Sequence, residues 1–170
     1  HLMPYLYTLM WQAAQQHRPV LRPTFFHFAD DPRCWHDNDE MMVGPELLVA
    51  PVFEPGQRER SLYLPTGSHA AGWYDFWSGR YWPGGATVSV PAGMDRLPLF
   101  VRAGALLATT DTWDDKVLTE EPSRALRYFP PPAGIAGLPS AVELFEDNGL
   151  QTRDAPDGHV VHRFWASADA

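Results

Sequence analysis

Asp39–Val52 reads DEMMVGPELLVAPV. Leu47–Phe53 within and after it is a continuous apolar run, the pattern of a strand buried on both faces. Asp39 and Glu40 ahead of it are acidic, and the stretch before Leu47 reads as a helix turn leading into that strand. A buried strand needs neighbours, and the flanking sequence supplies them. Pro55-Gly56 marks a turn and Ser61–Leu64 a strand. Trp73–Trp77 and Arg80–Trp82 flank Ser78-Gly79, which predicts a hairpin. Thr87–Val90 alternates apolar and polar. Leu97–Arg102 and Ala105–Ala108 follow, separated by Gly104. Strand signals about ten residues apart predict a mainly β fold and a β-sandwich.

Upstream, Leu2 to Gln16 is the one convincing helix, with Leu2, Leu6, Leu9, Met10 and Ala13 at three- and four-residue steps. Pro4 fits a first turn. Tyr5, Tyr7 and Trp11 make it apolar on most sides, so burial by neighbours is expected, and the rest of the chain offers few. The helix is expected to be exposed, to pack on a second copy as a homo-oligomer, or to be disordered. Pro19–Phe28 predicts a strand of limited pairing because of Pro23. Ala29–Glu40 and Thr109–Ser123 read as polar loops. Ala125–Phe129, Ala141–Phe145 and His159–Trp165 predict three more strands, with Asp147-Asn148-Gly149 as a turn between the last two.

With 21 acidic and 13 basic residues, the formal net charge is -8. Such a surface repels phosphate backbones and argues against nucleic acid as a partner. No apolar run approaches the roughly 20 residues that span a bilayer, so no membrane partner is expected. Cys34 is the lone cysteine; it can form no intramolecular disulfide, and it leans toward a reducing, cytoplasmic setting. The chain opens at His1 rather than Met, as a fragment or processed chain would.

Glycoside hydrolysis needs two carboxyl groups across a sugar bond, roughly 5–10 Å apart. Carboxylates are plentiful here, but their settings are unsuited. Asp30 and Asp31 stand beside Pro32. Asp37, Asp39 and Glu40 lie in an acidic loop, and Asp147 in a turn. None sits in the apolar surroundings that raise a catalytic acid's pKa, and capping or turn roles are expected instead. His36-Asp37-Asn38-Asp39-Glu40 lacks the glycine and distal glutamate of a calcium loop. A solvated loop capping a following helix turn is expected there. His159 and His162 would point to opposite faces of a strand, a poor arrangement for one metal. No catalytic, metal or cofactor residue is therefore expected in this chain. Trp73, Tyr74, Phe76, Trp77, Tyr81 and Trp82 suit a sugar-stacking platform or, preferably, cross-strand pairs that seal a core. Alternation would put Trp73, Asp75 and Trp77 on one face.

Several stretches resemble, in order, the late part of glycoside hydrolase family 31, the α-glucosidases and α-xylosidases. LMPYLYTLMWQAAQQHRPVLRPTFFHFADDP (2–32) is similar to the family's last barrel helix and the strand after it. HDNDEMMVGPELLVAPV (36–52) resembles its most recognisable late motif. RERSLYLPTGS (58–68), GWYDFWSG (72–79) and DRLPLFVRAGALL (95–107) are similar to the proximal C-terminal β domain. VELFEDNGL (142–150) resembles a turn near the distal one. The resemblance implies the last helix and strand of a (β/α)8 barrel in 1–43, a proximal β-sandwich in 44–110, and the start of a distal β domain in 111–170. It implies a retaining, exo-acting α-glycosidase as parent, acting on α-linked oligosaccharides, with its catalytic aspartates on earlier barrel strands. The upstream barrel would then be this chain's partner. His27 to Asp31 would approach the barrel's active face, although they match no catalytic motif. A carbohydrate-binding module and a structural or interaction domain are the competing readings.

Overall fold

A computed structural model describes residues 1–36, 39–68, 70–110, 124–133, 140–148 and 158–166. It is mainly β, with one α-helix. The stretch 41–49 forms a hairpin rather than a helix turn and one strand. β1 (Leu21–Pro23), β2 (Met41–Val43) and β3 (Leu47–Val49) are consecutive antiparallel strands, with Met42 opposite Leu48 and Leu21 opposite Val43. Gly44 turns the β2–β3 chain at φ 62°, a left-handed conformation that glycine adopts without a Cβ clash. Met41–Val43 thus finds its backbone partners in the apolar run itself, which a helical turn would forgo. β3 is buried along its whole length, as its apolar run predicts.

Two compact groups divide the described chain. The larger spans residues 21–105 and adds 129–133. It also contains β4 (Glu59–Tyr63), β5 (Gly72–Asp75), β6 (Tyr81–Pro83), β7 (Thr87–Pro91) and β8 (Leu99–Arg102). Six strands form an antiparallel sheet in the order β1-β2-β3-β8-β5-β6, and β4 pairs with β7. Met42, Leu48 and Phe100 stand in register across the sheet. Leu62, Val88 and Val90 of the β4–β7 ribbon join them, with Trp73 and Phe28, in one apolar core. β7 alternates as expected, with Val88 and Val90 inward. The expected strand over 19–28 is shorter. Pro23 ends β1, and the backbone turns into a 3-10 helix at Thr24–Phe26, with the His27 and Phe28 N–H groups on the Thr24 carbonyl.

The smaller group holds α1 (Met3–Gln16), β9 (Leu106–Thr109), β10 (Ala125–Tyr128), β11 (Ser140–Asp147) and β12 (His159–Ala166). β9 pairs with β10 and β11 with β12. In this group α1 joins elements from the far end of the chain. The helix does have a partner, contrary to its expected exposure: it packs on β9 and β11. Its buried side is Pro4, Tyr5, Thr8 and Leu9, while Met10 is 63% exposed. Trp11 stacks on Phe145 at 5.1 Å and 12°. Thr8 Oγ1 donates to the Pro4 carbonyl and accepts from the Phe145 N–H. That bond fixes which face turns inward, a face different from the one apolar periodicity selects. Asp147 ends β11 rather than sitting in a turn, and accepts from the Tyr7 hydroxyl. The loop expected within 109–123 and the segment 133–139 fall largely outside the described residues, as does Gly149. No helix among the described residues is long and apolar enough to cross a membrane.

Candidate functional site

Asp30 and Asp31 follow the 3-10 helix and the buried Phe28, and both are fully engaged. Asp31 Oδ1 accepts from the Arg33 N–H at 3.1 Å, capping a second 3-10 helix at Pro32–Trp35. Its Oδ2 accepts from the Tyr63 hydroxyl at 2.7 Å and the Thr66 N–H at 3.1 Å. Burial pushes this carboxyl up, but the donors outweigh it and hold it below its ordinary value. A general acid needs the opposite. Asp30 Oδ2 accepts from the Ser68 N–H and hydroxyl, and the backbone of Gly67 lies so near that a Cβ there would meet Oδ1 at 2.7 Å. Together the two aspartates tie residues 30–31 to the loop 66–68. His27 Nε2 lies 2.9 Å from Arg22 Nη1. Burial pushes the Cys34 thiol up to about 11, which suits a core residue and not a nucleophile.

Beside this loop lies a polar cleft of about 310 Å³, lined among others by Arg33, His36, Asp39, Glu40, Arg60 and Tyr63. Arg33 stacks on the Tyr63 ring at 3.8 Å and donates to Thr87 Oγ1. Burial, and then Asp31, push the Tyr63 hydroxyl up to about 12. Asp39 is exposed and meets Arg60 at 3.3 Å. Glu40 is buried and accepts from the Tyr63 N–H. The two neighbouring carboxylates therefore diverge, one to solvent and one to the backbone. They precede a strand and cap no helix, contrary to expectation; Asp37 and Asn38 lie outside the described residues. Arg60 Nε is buried without a hydrogen-bond acceptor.

The aromatic hairpin β5–β6 is built into the fold. Trp73 is fully buried and donates to the Pro65 carbonyl at 2.8 Å. Tyr74 donates to Pro130, Trp77 to Leu97 and Tyr81 to Ala71, all at backbone carbonyls. Arg80 covers Trp82 at 3.8 Å. Trp77 does not share Trp73's face. β5 ends at Asp75, whose Oδ1 accepts from the Trp77 and Ser78 N–H groups and turns the chain there. Elsewhere, His159 and His162 are both exposed, with His162 3.6 Å from Glu146. Among the described residues, no three His, Cys, Asp or Glu gather as a metal site.

Glu46 and Arg102 form a buried ion pair. Arg102 Nε and Nη2 lie 2.9 and 2.7 Å from Glu46 Oε2, and the Arg102 N–H donates to the Glu46 carbonyl. Burial pushes the Glu46 carboxyl above its ordinary value, and Arg102 pulls it back in part. The pair flanks the β3–β8 ladder, where Leu47 stands opposite Val101.

The Glycosyl hydrolase family 31 C-terminal domain matches residues 17–107. The chain belongs to glycosyl hydrolase family 31. It is 32% identical over 157 residues to an α-xylosidase of Saccharolobus solfataricus, covering 88% of this chain and 19% of that protein. It is 38% identical over 164 residues to human neutral α-glucosidase C, covering 95% and 17%. The crystal structure of a family 31 α-xylosidase from Xanthomonas citri matches 87% of this chain and 15% of its own, with TM-score 0.75 and 30% identity. The chain thus spans less than a fifth of these relatives.

In this family 31 chain, the motifs singled out by sequence converge on structure. The glutamate of VGPELL and the arginine of LFVRAG meet as the Glu46–Arg102 pair. Sequence reasoning missed it. The available signal was a charged residue inside each of two otherwise apolar runs, where a lone buried charge is not tolerated.

Proposed function

We propose that this chain is the C-terminal part of a retaining, exo-acting α-glycosidase, and that it supports a catalytic barrel without carrying the chemistry. In that reading, 1–43 completes the barrel, 44–110 is the proximal β-sandwich and 111–170 begins a distal β domain. An aspartate outside this chain attacks the anomeric carbon, a second carboxyl protonates the leaving oxygen, and water then releases the sugar from the glycosyl-enzyme. The carrying observation is the match to the family's C-terminal domain in a chain that spans under a fifth of its relatives. The engagement of Asp30, Asp31 and Glu40 in backbone and hydroxyl bonds supports it, since these bonds hold the carboxylates in structural contacts. The sugar-stacking alternative is disfavoured by the buried Trp73 and the covered Trp82.

The purified 170-residue chain is expected to release no aryl alcohol from aryl α-glucosides or α-xylosides. Turnover that vanishes on replacing a single Asp or Glu would refute this reading.

A further inference from the structure

The polar cleft of about 310 Å³ beside the 66–68 loop is lined by side chains that the proposed function leaves unused. We propose that it is a second, non-catalytic carbohydrate site, which holds one or two units of an α-linked oligosaccharide. The inference rests on the reading above for the choice of sugar and adds a place where that sugar binds.

One wall of the cleft is the outer edge of β4. The Leu64 N–H donates to the Ala86 carbonyl, and the Ala92 N–H donates to the Arg58 carbonyl. Bonds in an antiparallel ladder fall on alternate residues. Arg60 and Leu62 therefore also face β7, while Glu59, Ser61 and Tyr63 turn their backbone groups outward. Glu40 Oε1 takes the Tyr63 N–H at 3.0 Å. Ser61, two residues away on the same edge, lines the cleft and is exposed.

The side chains around this edge are fixed in advance. Arg33 is held over the Tyr63 ring at 3.8 Å and by Thr87 Oγ1. Asp39 is held by Arg60 at 3.3 Å, while its side chain stays 60% exposed. Groups ordered before binding lower its entropic cost. The composition then selects the ligand. Two guanidinium groups and two carboxylates share the lining, so their charges balance. A bare anion asks for donors alone and would meet Asp39 and Glu40. A cation asks for acceptors alone and would meet Arg33 and Arg60. An apolar ligand finds little carbon surface, because Arg33 covers the Tyr63 ring. A hydroxyl both donates and accepts. Adjacent hydroxyls of a sugar ring thus suit a guanidinium and a carboxylate side by side. The volume lies at the lower end of the roughly 300–1,000 Å³ of small-molecule sites, which suits one or two pyranose rings.

Amide NMR of the nitrogen-15-labelled 170-residue chain tests the site. Maltose or isomaltose is expected to shift the Arg33, Ser61, Tyr63 and Thr87 amides along saturating curves in the millimolar range. Arg33→Met and Asp39→Asn alter exposed residues. Each should weaken binding at least about tenfold, with the rest of the spectrum unchanged. A spectrum that neither sugar shifts at tens of millimolar overturns the proposal. So do shifts centred on the β5–β6 hairpin, and binding that both variants retain. Stronger shifts of the same amides by inorganic phosphate would make the cleft an anion site and overturn it too. Release of aryl alcohol from an aryl α-glucoside is read on the same samples. No turnover and no sugar shift defeats the site and leaves the proposed function standing. Turnover abolished by Asp39→Asn makes the cleft catalytic and defeats both. Turnover that survives Asp39→Asn while sugar binding is lost defeats the proposed function alone.

Discussion

At Asp31 three donors converge on one buried carboxylate, and its role follows from them. Asn in its place keeps one acceptor oxygen but loses the charge that strengthens all three bonds. Asp31→Asn is expected to cost about 1–3 kcal/mol at neutral pH, read by urea unfolding. The pH dependence has a definite sign. The folded carboxyl lies below its ordinary value of 3.8, so in acid the unfolded chain binds more protons and stability falls as pH drops below about 4. The gap between wild type and variant should therefore narrow there; a constant gap from pH 7 to pH 3 would contradict the assignment. Sequence pointed to a capping role for the acidic residues. It did not show that Tyr63 and Thr66, 32 and 35 positions away, are the other donors.

Among the elements, α1 shows where periodicity is informative and where it stops. Its extent was legible almost to the residue. Its inward face was not, because a helix apolar on most sides leaves the choice to specific partners. Thr8 makes that choice through the buried Phe145 N–H. Thr8→Val keeps the shape and removes the acceptor, leaving an orphaned donor. A loss of about 1–3 kcal/mol is expected, with faster amide exchange at Phe145. Met10→Ala, on the exposed side, should stay within about 0.5 kcal/mol. If the two variants are equally stable, the stated orientation of the helix is wrong. The strands were more legible, since alternation and turn residues are local signals. The β2 segment was misread because only its pairing with the apolar run makes it a strand.

For the whole molecule, the core closes between the six-stranded sheet and the β4–β7 ribbon, and Phe28 and Cys34 from the irregular stretch complete it. The two aspartates beside that stretch are consumed in anchoring it. Surface charge is the other global property. At -8, the chain is expected to leave the mobility of duplex DNA unchanged at physiological salt. A retarded band would show a basic face that the formal charge conceals.

The sequence by itself determined the family, the mainly β character and the positions of nearly all strands. Those depend on short-range order: alternation, apolar runs and glycine or proline turns. Tertiary structure alone decided three things. It paired Glu46 with Arg102 across 56 residues, oriented α1 through Thr8, and turned DEMMVGPELLVAPV from a helix turn and strand into a hairpin. Each is a contact between groups whose separate sequence signals are ambiguous. A buried charge, an all-round apolar helix or a three-residue strand acquires its meaning only from the partner the fold brings to it.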